Sequence, residues 1–281
     1  IIVNNLYLCS FASPDLKSSV NRFFKQAKDT NFYQEIKIFS WKDLTINKKK
    51  QIESFFKKKN KRLYGYACWK PEIILSCLNN IPENSILQYS DIGCHLNKYG
   101  QERLKEYLDI VFKNNILAFK YCKPNFKIDK KLKYQKYFEN EYTKSDMFDY
   151  FKIPINSSIR NTEQIWSGTM FFKNNSETKI FLKRWLEICN ISHLIDDSIS
   201  YQKNSSDFLE HRHDQSAFSI LCKLDEVFCL SASECEWAES ENGRYWDHLK
   251  NYPVLAKRDK KYNFLKRFIS RQSKNLRRIF N

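Results

Sequence analysis

The chain has 281 residues and carries 48 Lys and Arg against 32 Asp and Glu, a formal net charge of +16 at pH 7. With 42% hydrophobic residues, 16% aromatics and only five Gly and six Pro, it can bury a sizeable core. That excludes a disordered chain, a collagen-like fibre and a small disulfide scaffold, and no apolar run reaches the ~18 residues of a membrane-spanning helix.

The first residues, Ile1-Ile2-Val3, are not a basic segment leading into an apolar one, so no signal peptide is read there. Asn5 to Ala12 is a short apolar run that reads as a strand. It ends at Ser13-Pro14-Asp15, a helix start, and helical spacing continues through Leu16, Val20, Phe23 and Phe24 to about Asp29. Glu35 to Ser40 reads as a second strand. From Lys48 to Arg62 the basic groups Lys48-Lys49-Lys50, Lys57-Lys58-Lys59 and Lys61-Arg62 surround Ile52 and Phe55-Phe56. A solvated helix face explains them most simply. Nucleic-acid binding is the rival, but no helix-turn-helix, RNP-like or zinc-finger spacing accompanies the charge.

Pro71 to Asn79 reads as a helix with Pro in its first turn, where no amide donor is needed. Ser85 to Tyr89 is a buried strand running into Asp91-Ile92-Gly93. Gln101 to Phe112 is a helix and Asn115 to Tyr121 another strand. This alternation predicts an α/β fold, a mixed sheet flanked by crossover helices. After Lys123 the pattern loosens to about Asn140. A helix near Ser145 to Phe151, a strand at Thr169 to Phe172, and helices at Glu177 to Cys189 and Asp214 to Leu221 follow. With no internal repeat and no Gly/Ser linker, one domain over 1–256 and a tail over 257–281 is the simplest division.

The tail holds ten Lys/Arg and one Asp, so +9 of the +16 lies in it. Phe264, Leu265, Phe268, Ile269, Leu276, Ile279 and Phe280 recur at helical spacing opposite Lys266, Arg267, Arg271, Lys274, Arg277 and Arg278. A basic amphipathic helix of this kind reads as a peripheral contact with an anionic membrane or a partner, or as a helix packed on the domain's own core. The nine cysteines are odd in number, lack any C-x-x-C pair and sit in apolar stretches. They read as reduced core residues of a cytoplasmic protein.

Three segments carry chemistry. In the first, the strand Ile86 to Ser90 ends in Asp91, a carboxylate able to hold a divalent cation, and Gly93 allows close backbone approach. A plain turn is the bland explanation. The second, Trp166-Ser167-Gly168-Thr169, places small residues before a strand. The third, Glu210-His211-Arg212-His213-Asp214-Gln215-Ser216, places ionisable residues at a helix start. There Asp214 or Ser216 could merely cap the helix. His211 and His213 have no third ligand nearby, which argues against zinc.

In this order, the segments resemble the glycosyltransferases of the GT-A fold, above all families with a strand ending in Asp-x-Asp, a small-residue strand and an "Asp-Gln" helix start. Gly65-Tyr66-Ala67-Cys68-Trp69-Lys70-Pro71 and the Glu-His-Arg-His-Asp-Gln-Ser run look like stretches of bacterial cell-surface polysaccharide transferases. The resemblance spans roughly residues 5 to 258. It implies that Asp91 binds a metal or the donor's ribose and diphosphate, and that Ser10, Phe11 and Ala12 hold the nucleotide base. Trp69 and Lys70 join the donor site. Ser167 and Gly168 line the sugar pocket, and Asp214 and Gln215 contact the donor hexose, with His213 beside them. Lys257 or Arg258 could neutralise the leaving diphosphate.

Gly93 stands where the family has its second Asp. Either Asp91 binds Mn2+ or Mg2+ with help from elsewhere, the preferred expectation, or Lys and Arg groups stabilise the diphosphate instead. An inverting enzyme needs a base, for which Asp146, Asp149, His211, His213 and Asp214 are candidates; a retaining one would use Gln215 or Asp214. The expected function is transfer from a nucleotide-sugar to a glycan or lipid-linked acceptor of a capsule or lipooligosaccharide, with no nucleic-acid partner. The alternatives are a phosphoryl-type or nucleotidyl transferase on the same fold and a basic nucleic-acid-binding protein, whose affinity would fall steeply with salt.

Overall fold

A computed structural model describes residues 5–58, 61–124 and 131–257. Strand β1 (Leu6–Phe11) passes through a 3-10 turn into α1 (Lys17–Thr30), followed by β2 (Glu35–Phe39) and α2 (Ile46–Lys57). A single turn, α3 (Leu63–Tyr66), precedes α4 (Lys70–Leu78) and β3 (Ile86–Ser90). Next come β4 (His95–Leu96), α5 (Gln101–Asn114), β5 (Ile116–Lys120), β6 (Lys133–Tyr134), α6 (Glu139–Tyr142) and α7 (Ser145–Tyr150). The long β7 (Ile165–Lys173) leads into α8 (Ser176–Asn190), α9 (Ser192–Ile195) and α10 (Asp214–Leu224). The chain then forms β8 (Phe228–Ser231), β9 (Ala238–Ser240), β10 (Gly243–Tyr245) and β11 (Val254–Leu255).

Six strands form one mixed sheet in the order β2-β1-β3-β7-β5-β8, with β7 antiparallel to both neighbours and the other pairings parallel. Side chains alternate across it, as the period of two requires. Leu6, Leu8, Leu117, Phe119 and Phe171 meet Phe23 and Ala27 of α1 and Leu104, Tyr107, Leu108 and Val111 of α5. On the other face Cys9, Phe11, Leu87, Tyr89, Met170 and Phe172 pack under Ile52, Ile74, Leu182, Trp185 and Phe218. Because helices cover both faces, the central strands read as continuous apolar runs. Each large side chain buried this way contributes roughly 1.5–3 kcal/mol.

The α/β architecture read from the alternation is the one the structure has. The differences are local. β7 begins at Ile165, four residues before the expected strand, because Trp166 pairs with Phe119 and Ile165 with Lys120 across a bulge. β6, β8, β9, β10 and β11 carry two to four residues each, too few for a period to declare itself. The basic run of α2 is not uniformly solvated: Lys48 is buried and donates from Nζ to Gln51 Oε1 at 2.8 Å and Asn190 Oδ1 at 2.6 Å. Of the nine cysteines, seven are buried and two half-buried, in line with small apolar core residues. No helix among the described residues is long and apolar enough to cross a membrane. The tail from Arg258 onward lies outside the described residues.

Candidate functional site around Lys70

The carboxyl ends of β1, β3, β5 and β8 and the amino end of β7 share one edge of the main sheet, where open α/β sheets bind ligands. The chain enters this edge through α3 in an uncommon way. Leu63, Tyr64, Gly65, Tyr66 and Ala67 all have positive φ, from 46 to 86°, so α3 winds left-handed. Four of the five carry a Cβ, and each such residue costs of order 1–3 kcal/mol. Packing offsets the strain: Tyr66 lies edge-on to Phe55 at 4.9 Å and against His213 at 4.6 Å, while Tyr64 meets Phe56 at 5.2 Å. Gly65 is needed here, since a Cβ would come within 2.8 Å of Ile52 Cγ1.

This turn delivers Trp69 and Lys70 to the first turn of α4. The Lys70 ammonium is the point at which the separate segments meet. Nζ lies 2.9 Å from Asp214 Oδ2 and 3.4 Å from Asp91 Oδ1. It also donates to Ser167 O at 2.9 Å, with Ser167 Oγ at 3.2 Å. The Lys70 side chain is 4% exposed, Asp214 3% and Asp91 46%, so Asp91 is the member of the cluster that faces solvent. Burial pushes the Lys70 ammonium down, but the charges and hydrogen bonds of Asp214 and Asp91 outweigh it and hold the group above the ordinary lysine range.

Asp91 is held from both sides. The Tyr89 hydroxyl donates to Asp91 Oδ1 at 2.6 Å; burial first, and Asp91 next, push that phenol well above its usual range and keep the proton in place. The Asp91 amide donates to Gly168 O at 2.8 Å. Gly168 lies in the β7 bulge, where Ser167 to Met170 oppose Ala118 alone; bulges of this kind re-aim side chains next to sites. A Cβ at Gly168 would sit 2.1 Å from the Trp166 ring. Gly168→Ala must therefore push the indole aside, and an expected loss of about 2–3 kcal/mol in a urea melt checks this.

Asp214 opens α10, where a carboxylate suits the positive end of the helix. Its Oδ2 accepts from Ser167 Oγ at 3.0 Å and its backbone O from Trp185 Nε1 at 3.1 Å. Burial pushes its carboxyl up, and Lys70 pulls it only partly back. The preceding residue, His213, takes φ 57° and ψ −122°, a conformation that favours glycine. It is 0% exposed and its Nδ1 donates to Ile195 O at 2.7 Å. The imidazole expected among the catalytic groups is thus turned to the backbone, directly before the start of α10. Gln215 also turns inward, donating from Nε2 to Gln164 Oε1 at 2.8 Å. Gln164 is part of a buried network in which Glu139 accepts from Thr143 Oγ1, Ser219 Oγ and Lys223 Nζ. That network is an anchor behind the cluster, and the sequence carried no sign of it.

The other expected residues are divided. The Ser10 hydroxyl donates to Ser90 O at 2.6 Å, tying two strand ends together. Phe11 and Trp69 stack at 3.9 Å and are nearly buried. The ring more open to solvent beside them is Tyr64, half-buried, which sequence reading passed over. Ala12 is half-buried, its amide on Phe39 O at 2.9 Å. Gly93 sits in the turn closed by Cys94 N to Asp91 O at 2.8 Å. Lys257 lies 5.2 Å over the Trp246 ring, and Arg258 is outside the described residues. Among the bases considered, His211 is buried with Nε2 donating to Leu194 O at 2.8 Å, and Asp146 accepts the Tyr201 and Gln202 amides.

A divalent cation fits this arrangement poorly. Hard cations gather six or more oxygens, usually with one or two carboxylates among them. Asp91 Oδ1 already accepts from Tyr89 and faces Lys70, and Gly93 contributes no side chain. No group of three His, Cys, Asp or Glu among the described residues could hold a metal ion.

No protein-family model and no curated protein matches the chain. Among solved structures, it is similar to a glycosyltransferase involved in glycosylation of the major capsid of PBCV-1, with a TM-score of 0.48, 9% identity, and 89% of this chain and 92% of that chain covered. Mouse xyloside xylosyltransferase 1 in its apo form aligns with a TM-score of 0.38 and 10% identity over 84% and 75% of the two chains. Mannose-6-phosphate isomerase from Helicobacter pylori aligns with a TM-score of 0.32 and 12% identity over 92% and 99%. Scores at this level transfer no residue role.

Proposed function

We propose that the chain is a glycosyltransferase that moves a sugar from a nucleotide-sugar donor to a glycan hydroxyl. The carrying observation is the convergence on one lysine of Asp91 at a strand end, Ser167 at a strand bulge and Asp214 at a helix start, at the sheet edge where ligands bind. In the proposed reaction the acceptor oxygen bonds to the anomeric carbon as that carbon's bond to the diphosphate oxygen breaks. The bonding pair leaves with the nucleoside diphosphate and the hydroxyl proton goes to a base. Asp91, half-exposed with one oxygen still open, is the group suited to accept a donor hydroxyl. Asp214, buried against Lys70, Ser167 and Trp185, holds the centre in shape. The basic amphipathic pattern of 257–281 supports a lipid-linked acceptor at an anionic surface, as in building a bacterial capsule or lipooligosaccharide.

A thermal-shift screen of UDP-, GDP- and CMP-sugars tests the reading. Donor at ~100 times its dissociation constant adds about 2.7 kcal/mol of stability. If no nucleotide-sugar shifts the melt and short DNA or RNA does, the transferase reading fails. Asp91→Asn keeps shape and exposure, so its melting temperature should stay within about 2 °C. Its transfer rate should fall at least about 100-fold, the scale of removing one preorganised polar contact. Full activity in Asp91→Asn would remove Asp91 from the site.

A further inference from the structure

We propose that the Lys70 ammonium occupies the place of the divalent cation, so that this centre binds and turns over its donor without a metal ion. The inference rests on the glycosyl-transfer reading and goes past it, since a strand-end carboxylate facing a nucleoside diphosphate would ordinarily share a cation with the phosphates.

Three observations carry it. Lys70 Nζ is shared by the carboxylates of Asp91 and Asp214, contributed by a strand end and a helix start 123 positions apart in the numbering. An ammonium has three donors; Lys70 Nζ donates to Ser167 O and Ser167 Oγ and lies within ion-pair distance of Asp214 Oδ2 and Asp91 Oδ1. The Lys70 side chain is 4% exposed and enters from a left-handed turn followed by Pro71, so this is a fixed charge and not a mobile surface lysine. Finally, Asp91 lacks what an ion needs. Tyr89 and Lys70 both address its Oδ1, Gly93 offers nothing, and a dication at the remaining oxygen would lie beside a permanent positive charge.

The ammonium takes over part of what a bound ion does. It draws the two carboxylates together, cancels one of their two charges, and sets a fixed positive group behind Asp91 on the side where a diphosphate would arrive. The longest of the Lys70 contacts, 3.4 Å to Asp91, is the one that can lengthen as phosphate oxygens approach. A lysine so placed needs no ion to be recruited and releases none with the product.

The test is Mn2+ binding to the full chain, read by the loss of the free-ion electron paramagnetic resonance signal, alone and with UDP, GDP or CMP. Wild type should bind no Mn2+ that Asp91→Asn fails to bind. Nucleoside diphosphate affinity should agree within about threefold in EDTA and in Mn2+. Lys70→Met, which uncovers both carboxylates and Ser167 O, should gain Mn2+ affinity at least tenfold. If Lys70→Met does not fold, the comparison of wild type with Asp91→Asn still decides. A Mn2+ site in wild type, or a tenfold tightening of nucleotide by Mn2+, that Asp91→Asn abolishes would overturn the proposal. Mn2+ binding alone needs no donor, so a nucleotide-sugar screen with no hits would sink the transferase reading and leave the placement of Lys70 to be judged by the ion.

Discussion

Lys70→Met is expected to abolish transfer and to lower stability by about 3–5 kcal/mol, the usual cost of breaking a buried ion pair from one side. The methionine replaces the methylenes of the lysine but none of its donors. Asp214, 3% exposed, then keeps only Ser167 Oγ as partner. The pH dependence separates charge from packing. Burial already raises the Asp214 carboxyl, and without Lys70 it rises further above its unfolded value near 4. Between those two values the folded state binds more protons than the unfolded one, so stability falls as pH rises. The deficit of Lys70→Met should therefore be smaller at pH 5 than at pH 8 in urea melts. An equal deficit at both would mean that packing, not charge, was lost. Lys70→Arg should not restore activity, because a planar fork does not fit four oxygens gathered around one buried nitrogen.

The second large effect is acid sensitivity set by His211 and His213. Burial, the first cause in each, pushes both imidazoles well below their usual range. His211 has its ring satisfied in the neutral form, with Lys144 N donating to Nδ1 at 3.3 Å and Nε2 donating to Leu194 O. His213 Nε2 has no hydrogen-bond partner among the described residues. A histidine with a depressed folded pKa lends its full stability above the unfolded value near 6.5 and loses it as pH falls below that. Each then removes about 1.4 kcal/mol per pH unit, so the pair should cost about 2–3 kcal/mol on going from pH 7.5 to 5.5. Denaturant melts across that range check the sum, and His211→Asn should remove roughly half of the slope. A slope that His211→Asn leaves untouched would assign the acid loss to carboxylates instead. Because both rings hold the stretch that ends at Asp214, donor binding should weaken before the whole chain unfolds.

Much of this molecule was legible residue by residue. Leu104, Tyr107, Leu108 and Val111 declare a helix by spacing alone, and the run Ile86 to Ser90 declares a strand covered on both faces, because these patterns report local geometry. Asp91, Ser167-Gly168 and Asp214, which the fold brings together at Lys70, stood out for the same reason: a carboxylate after a strand, small residues in a strand and an ionisable helix start are each local signals. Lys70 was legible only as one donor contact among several. Its role depends on Ser167, 97 positions away, and no spacing rule reaches so far.

Two other expected residues show the same limit. Ser10 and His213 carry chemistry-bearing groups near the right elements, yet Ser10 turns its hydroxyl to Ser90 O and His213 its ring to Ile195 O. Whether a polar side chain meets a ligand or the backbone is decided by which element packs over it. The left-handed turn at Leu63 to Ala67 was signalled by Gly65 alone, since Tyr64, Tyr66 and Ala67 hold an unfavourable φ only because Phe55, Phe56 and His213 pack around them.

The sequence by itself determined the alternation of helix and strand, the two-faced core, the apolar setting of the cysteines and the segments that would meet at the carboxyl ends of the parallel strands, because hydrophobic period and side-chain chemistry act over a few residues. The tertiary structure decided which charges are paired. A buried ammonium is stable only where carboxylates from distant segments enclose it, and that enclosure, not the identity of any one residue, sets Asp91 facing solvent with Lys70 behind it.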